Sequence, residues 1–160
     1  MSYAIVYSSR TGNTALLAQT IREALPREEC LYFGPPDPQA LAARFLYVGF
    51  WTDKGTCDEE IARFLQGLTD QEVFLFGTAG FGGAPAYFAQ ILDRVRTNLA
   101  AGVSVVGTYM CQGKMPQTVR DRYAAMEDSP RRTAMLENFD RAISHPDQQD
   151  LVRLRAMVTA

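Results

Sequence analysis

Near its start the chain reads Tyr3-Ala4-Ile5-Val6-Tyr7, and Ser8-Ser9-Arg10-Thr11-Gly12-Asn13-Thr14 follows directly. The apolar pentapeptide is typical of a strand that is covered on both faces of a sheet. The seven residues after it are all polar or small, and the apolar periodicity of a helix begins at Asn13 and stops at Pro26. The sequence therefore predicts a strand, a polar loop and a helix N-terminus in immediate succession.

The same alternation of short apolar runs and amphipathic helices continues along the chain. It predicts an α/β protein with a parallel sheet, right-handed crossovers and helices on both faces. In such a sheet, ligands bind beyond the carboxyl ends of the strands. The predicted strands are residues 3–7, 30–33, 45–50, 73–77 and 103–110.

Helices are predicted between the strands and alone after the last strand. Asp37 is expected to cap a short helix reaching about Arg44, and Thr56 is expected to open a capping box before the next helix. We expect one domain over residues 1–160, with a core at about 2–110 and a helical C-terminal part at about 116–158. The predicted helices are 13–25, 38–44, one following Thr56, 85–99, 116–126, 131–143 and 147–158.

Composition excludes several classes of protein. The 160 residues are 47% hydrophobic and 21% charged, which is ordinary for a globular protein. A net charge of −2 and dispersed arginines argue against a nucleic-acid partner. No apolar run approaches membrane-spanning length, and the chain enters its first strand without a basic leader, so we expect no membrane partner and a cytoplasmic location.

Cysteine and histidine usage limits the possible chemistry. The three cysteines, Cys30, Cys57 and Cys111, are widely spaced and form no Cys-x-x-Cys pair, so neither a disulfide framework nor a metal site is predicted. A redox role for Cys57 or Cys111 is not favoured, because no base or resolving cysteine stands beside either. His145 is the only histidine, and we expect it at the end of a helix.

The first loop has the chemistry of a phosphate site. Backbone N–H groups at a helix N-terminus favour an anion, and the hydroxyls of Ser9, Thr11 and Thr14 could donate to phosphate oxygens. Gly12 allows close approach of the backbone. A nucleotide P-loop is excluded because no Gly-Lys-Ser/Thr is present. A simple helix cap is the competing interpretation.

This loop resembles the Ser/Thr-x-Thr-Gly-Asn-Thr phosphate loop of flavodoxins. The resemblance implies a flavodoxin-like three-layer α/β/α sandwich with strand order 2-1-3-4-5, and FMN as the cofactor. It also implies that phosphate is held largely by backbone N–H groups of the matching residues. Those residues are Ser9, Arg10, Thr11, Gly12, Asn13 and Thr14.

The loop after the third strand contains the only tryptophan. In flavodoxins this loop carries an aromatic side chain over the flavin ring and a peptide that turns over on reduction. Trp51 suits the stacking role, with core packing as the competing interpretation, and Gly55 would permit a peptide to turn over, although the sequence does not assign which one. Lys54 could temper the charge of a reduced flavin, but a solvated turn lysine is the preferred interpretation. The cofactor-binding candidates here are Trp51, Thr52, Asp53, Lys54 and Gly55.

The loop after the fourth strand is rich in glycine. The resemblance implies that it borders the pyrimidine edge of the flavin, with Phe81 as a possible second stacking side chain and Tyr87 or Phe88 as substitutes. The candidates are Thr78, Ala79, Gly80, Phe81, Gly82 and Gly83. The loop after the fifth strand, residues 111–116, is either a docking surface or a plain connection.

The implied function is electron transfer from a donor reductase to a partner redox enzyme, with no catalytic side chain required. The alternative is an FMN-dependent oxidoreductase that acts directly on a small molecule such as a quinone or tetrapyrrole. A flavodoxin-like module with an idle cofactor site is a third possibility. Residues 111–116 and 137–142 also resemble flavodoxin-family proteins of anaerobic gut bacteria, some of which are associated with bilirubin reduction.

Overall fold

A computed structural model describes residues 1–82 and 84–160. Two short 3-10 turns, Arg27–Glu29 and Pro38–Ala42, lie between the main elements. The strands are β1 (Tyr3–Tyr7), β2 (Cys30–Gly34), β3 (Phe45–Asp53), β4 (Thr56–Cys57), β5 (Glu72–Ala79) and β6 (Ser104–Gln112). The helices are α1 (Asn13–Ala24), α2 (Glu59–Gln66), α3 (Pro85–Arg96), α4 (Gln117–Ala124), α5 (Pro130–Ala142) and α6 (Gln148–Thr159).

The five long strands form a parallel sheet in the order β2-β1-β3-β5-β6. The predicted order 2-1-3-4-5 is confirmed, since the predicted fourth and fifth strands are β5 and β6. Parallel strands in this order place all their carboxyl ends on one edge, with the crossover helices on the two faces.

Each face of the sheet has its own core because successive strand residues point to opposite sides. On one face Val48 and Leu75 pack with Ile61 of α2 and Ile91 of α3. On the other face the buried residues include Ile5 and Phe76 from the sheet, Leu17 and Ile21 from α1, and Leu154 from α6. The result is the predicted three-layer α/β/α sandwich.

The segment after the third strand differs from the prediction. β3 continues to Asp53 and then pairs antiparallel with β4 as a hairpin. Thr56 therefore belongs to a strand, and the predicted capping box there is wrong. The cap of α2 is Asp58, whose carboxylate accepts from the N–H of Ile61 at 3.3 Å. Sequence periodicity missed β4 because two residues are too few to show it.

The helical C-terminal part is confirmed, and it completes the core. The side chain of Leu154 is fully buried on the α1 face of the sheet. The Tyr109 hydroxyl on β6 donates to the carbonyl of Asp150 at 2.8 Å, and a capping box between Asp147 and Asp150 starts α6. Of the helices in the described residues, none combines the length and apolar character needed to cross a membrane.

Candidate functional site

A cleft of about 330 Å³ opens at the carboxyl ends of the parallel strands. Its volume falls within the range of small-molecule sites, about 300–1,000 Å³. The predicted residues Gly12 and Gly82 are not among those that line it, and Gly83 lies outside the described residues. The predicted residues that line the cleft are Ser9, Arg10, Thr11, Asn13, Thr14, Trp51, Thr52, Asp53, Lys54, Gly55, Thr78, Ala79, Gly80 and Phe81.

The first loop presents free backbone donors to this cleft. Gly12 adopts φ 89°, a left-handed conformation that suits glycine, and its carbonyl accepts from the N–H of Leu16 at 3.0 Å. In the described part of the chain, the N–H groups of residues 10–14 donate to no protein acceptor. The N–H of Ala15 is already bonded to Ser9 Oγ at 3.2 Å. This leaves a row of amides available to an anion at the positive end of the α1 dipole.

Two of the hydroxyls expected to face a phosphate are engaged with the protein instead. The buried Thr14 hydroxyl lies 3.1 Å from the Phe50 carbonyl and 3.1 Å from Thr78 Oγ. The Thr11 hydroxyl and the Asn13 amide both donate to the carbonyl of Lys114, at 3.4 and 2.8 Å. These bonds fix the loop to the rest of the sheet edge, so anion binding there depends mainly on backbone N–H groups.

Trp51 lies at the end of β3, half-buried on the cleft wall. The guanidinium carbon of Arg10 stands 5.5 Å from the centre of its ring, at cation–π distance. The Trp51 backbone is anchored by Asp58, whose carboxylate accepts from the Trp51 N–H at 3.3 Å and whose own N–H donates back at 3.0 Å. Burial raises the pKa of Asp58. The ring is thus held on a rigid strand end.

Lys54 and Gly55 form the tight turn of the β3–β4 hairpin. Both have positive φ, 53° and 83°, as a two-residue type I′ turn requires. The Gly55 carbonyl accepts from the Arg94 guanidinium of α3 at 3.1 Å. The carbonyl of Gly55 is therefore restrained by a side chain that the sequence did not single out.

The glycine loop after β5 is braced from two elements. The Gly80 carbonyl accepts from the Gln112 amide at 2.9 Å and from the Asn138 amide of α5 at 3.1 Å. A β-carbon at Gly80 would stand 2.5 Å from the Met115 side chain, so a larger residue there would displace that side chain. Phe81 is 39% exposed at the cleft. The loop therefore lies close against the 112–115 segment.

One wall of the cleft lies outside the predicted cofactor-binding residues, although the sequence offered residues 111–116 as a docking surface or a plain connection. It consists of residues from the β6–α4 connection and α4, together with Tyr87, which the sequence offered as a substitute stacking residue; Phe88 packs against the core instead. The i, i+3 and i+4 spacing of Val119, Arg122 and Tyr123 was the available signal. The full wall is Tyr87, Gly113, Lys114, Met115, Pro116, Val119, Arg122 and Tyr123.

No cysteine or histidine is among the described residues that line the cleft, although the N–H of Lys114 in this wall donates to the carbonyl of His145 at 2.9 Å. All three cysteines are free, and burial raises the pKa of Cys57 to about 11 and that of Cys111 still further. Thiols with raised pKa values are poor nucleophiles at neutral pH. His145 follows α5, and its Nδ1 lies 2.6 Å from Asp150 Oδ2 at the start of α6. The expected position at a helix end is confirmed.

A parallel sheet in the order 2-1-3-5-6, with an amide-lined loop after its first strand and an aromatic wall beside it, defines a flavodoxin-like protein. The model of the flavodoxin domain family matches residues 4–159, and the chain belongs to that family. The family resemblance predicted from the first loop is thereby confirmed.

Two curated relatives are both described as flavodoxin-like domain-containing protein BilS. The protein from Clostridium symbiosum is 45% identical, with 94% of this chain and 90% of the relative covered. The protein from Clostridioides difficile is 28% identical at the same coverage, 94% and 90%. Oxidised flavodoxin 2 from Bacillus cereus shares the fold at a TM-score of 0.60 and 16% identity, covering 99% of this chain and 96% of that one.

Proposed function

We propose that this protein binds FMN non-covalently in the cleft and carries electrons from a donor reductase to a partner redox enzyme. The observation that carries the proposal is the row of free N–H groups at residues 10–14, which opens into the same cleft as the Trp51 ring. A flat ligand that carries a phosphate needs backbone donors for the phosphate and an aromatic surface for the ring, close enough together for one molecule to contact both. Bound FMN supplies reversible one- and two-electron chemistry.

Different residues bind different parts of FMN. The amides of residues 10–14 hold the phosphate, and Ser9 Oγ keeps its proton free to donate because it already accepts from Ala15. Trp51 packs against the ring from the β3 end. The backbone from Thr78 to Gly82 borders the polar edge of the ring, supported through the Gly80 carbonyl.

A carrier role is consistent with the side chains present. None of the residues that line the described cleft is histidine or cysteine, and burial raises the pKa of Tyr123 in its wall, which keeps that hydroxyl protonated at neutral pH. Electron transfer needs only a positioned cofactor and access for a partner. The resemblance of residues 111–116 and 137–142 suggests a tetrapyrrole reductase as the class of acceptor.

The test compares FMN with riboflavin, which lacks the phosphate, by quenching of flavin fluorescence. Hydrogen bonds to a charged group contribute about 1.5–3 kcal/mol each, so FMN should bind at least about 100-fold more tightly. Gly12→Ala places a side chain at φ 89°, which costs about 1–2 kcal/mol and should weaken FMN binding about tenfold. Gly67→Ala, at φ −84°, is the matched control. Equal affinities for the two flavins would refute the proposal.

Direct reduction of a small molecule is the second candidate. The observation that favours it is the α4 wall, since Val119 and Tyr123 extend the cleft beyond the loops that would hold the flavin. Anaerobic reductive titration separates the two functions. Two separated one-electron steps support the carrier, whereas a single two-electron step with steady turnover of a quinone supports the oxidoreductase.

A further inference from the structure

The cleft concentrates positive charge. Four basic side chains line it, and all four are exposed: Arg10, Lys54, Lys114 and Arg122. Asp53 is the one acidic side chain in the lining. Because the whole chain carries −2, the acidic excess lies elsewhere on the surface. We name these four basic residues the cationic rim.

The charges of the cationic rim are uncompensated. Among the described residues, no ion pair involves any of the four. Some arginines outside the rim are paired, as in Arg44–Asp70 at 3.2 Å and Arg120–Asp140 at 3.1 Å, whereas others such as Arg96 are in no ion pair either. Arg94 adds a further exposed cation beside the β3–β4 turn. An unpaired cluster in a concave surface focuses its field into the opening.

We propose that the cationic rim is the docking surface for a redox partner protein with an acidic face, an inference that rests on the proposed carrier function. Its members come from the first loop, the β3–β4 turn, the β6–α4 connection and α4, so they border the opening from separate elements. One small carboxylate is recognised by a convergent pair of donors, whereas charges spread around an opening match an extended surface of opposite sign. A partner docked there would meet the cofactor.

The first experiment uses the flavin-free protein, so it does not depend on FMN binding. Trp51 is the only tryptophan and lines the same cleft as the cationic rim. Its fluorescence is quenched in separate titrations with iodide, caesium and neutral acrylamide. The constant for quenching of Trp51 fluorescence by iodide should be at least threefold larger than that for quenching by caesium, after correction for the intrinsic quenching efficiency of each ion. The double variant Lys54→Gln/Arg122→Gln should bring the ratio close to one, and Arg96→Gln, at the far end of α3, should leave it unchanged. Equal quenching of the unaltered protein, or stronger quenching by caesium as the net charge alone predicts, would overturn the inference.

The second experiment separates a protein surface from a small anion as the occupant. Poly-L-glutamate, as a model of an acidic face, should protect Trp51 from iodide, and free glutamate at the same carboxylate concentration should not. Equal protection by free glutamate would show a small-anion site and refute docking. With FMN-loaded, reduced protein, oxidation by ferricyanide should slow as salt rises. If FMN fails to bind but the iodide-to-caesium quenching ratio is as expected, the proposed function is refuted, whereas the attraction of anions by the cationic rim is supported.

Discussion

Replacing Thr14 with valine removes one hydroxyl and keeps the shape of the side chain. The side chain is fully buried, and its hydroxyl lies 3.1 Å from both the Phe50 carbonyl and Thr78 Oγ. The variant leaves these two buried polar groups without that partner, at a cost of about 1–3 kcal/mol and without a cavity. We expect urea unfolding of the flavin-free protein to show a lower midpoint with an unchanged slope.

A double-mutant cycle with Thr78→Val isolates the bond between the two hydroxyls. Because the two oxygens are in contact, the cycle should return a coupling free energy of about 0.5–3 kcal/mol. FMN affinity should change less than about tenfold, since the Thr14 hydroxyl faces the protein and not the anion. A variant of unchanged stability that loses FMN affinity 100-fold would refute this reasoning and place the hydroxyl on the phosphate.

Three further changes test the surroundings of the cleft. Asn138→Ala removes a brace on the Gly80 carbonyl and should weaken FMN binding about three- to tenfold in a fluorescence titration, while an unaffected affinity would mean that the brace is dispensable. At pH 8 a thiol reagent should modify the half-buried Cys30 first, and the other two cysteines only after unfolding, because burial raises their pKa values; three equal rates would contradict this. Burial raises the pKa of Asp58 above 3.8, so the folded state binds its proton more tightly, and this contribution to stability falls as pH rises from 3.8 through the raised value. Asp58→Asn should lack that dependence in urea unfolding measured across pH, and identical profiles would rule it out.

The sequence by itself determined the elements and the first loop. Alternating apolar runs, Pro26 after the first helix and the polar residues 8–14 are local patterns, and local patterns depend on backbone sterics and burial of one face. The strand order followed from the family resemblance, and the structure confirms it. The strand ends were less accurate, because β3 and β6 continue past the last apolar residue into polar positions that pair with a neighbouring strand.

Only the tertiary structure decided how the cleft is held together. The Asn138 amide meets the Gly80 carbonyl across 58 residues of chain, and the Asn13 amide meets the Lys114 carbonyl across 101. The same is true of the Thr14 hydroxyl, which donates to the carbonyl of Phe50 instead of facing the predicted phosphate site. A polar side chain bonds to whichever buried partner the packing brings within about 3 Å, and no local pattern records that partner. The helices and strands can therefore be predicted from the sequence. The concentration of basic side chains at the cleft and the hydrogen bonds that support its loops arise only where distant segments meet.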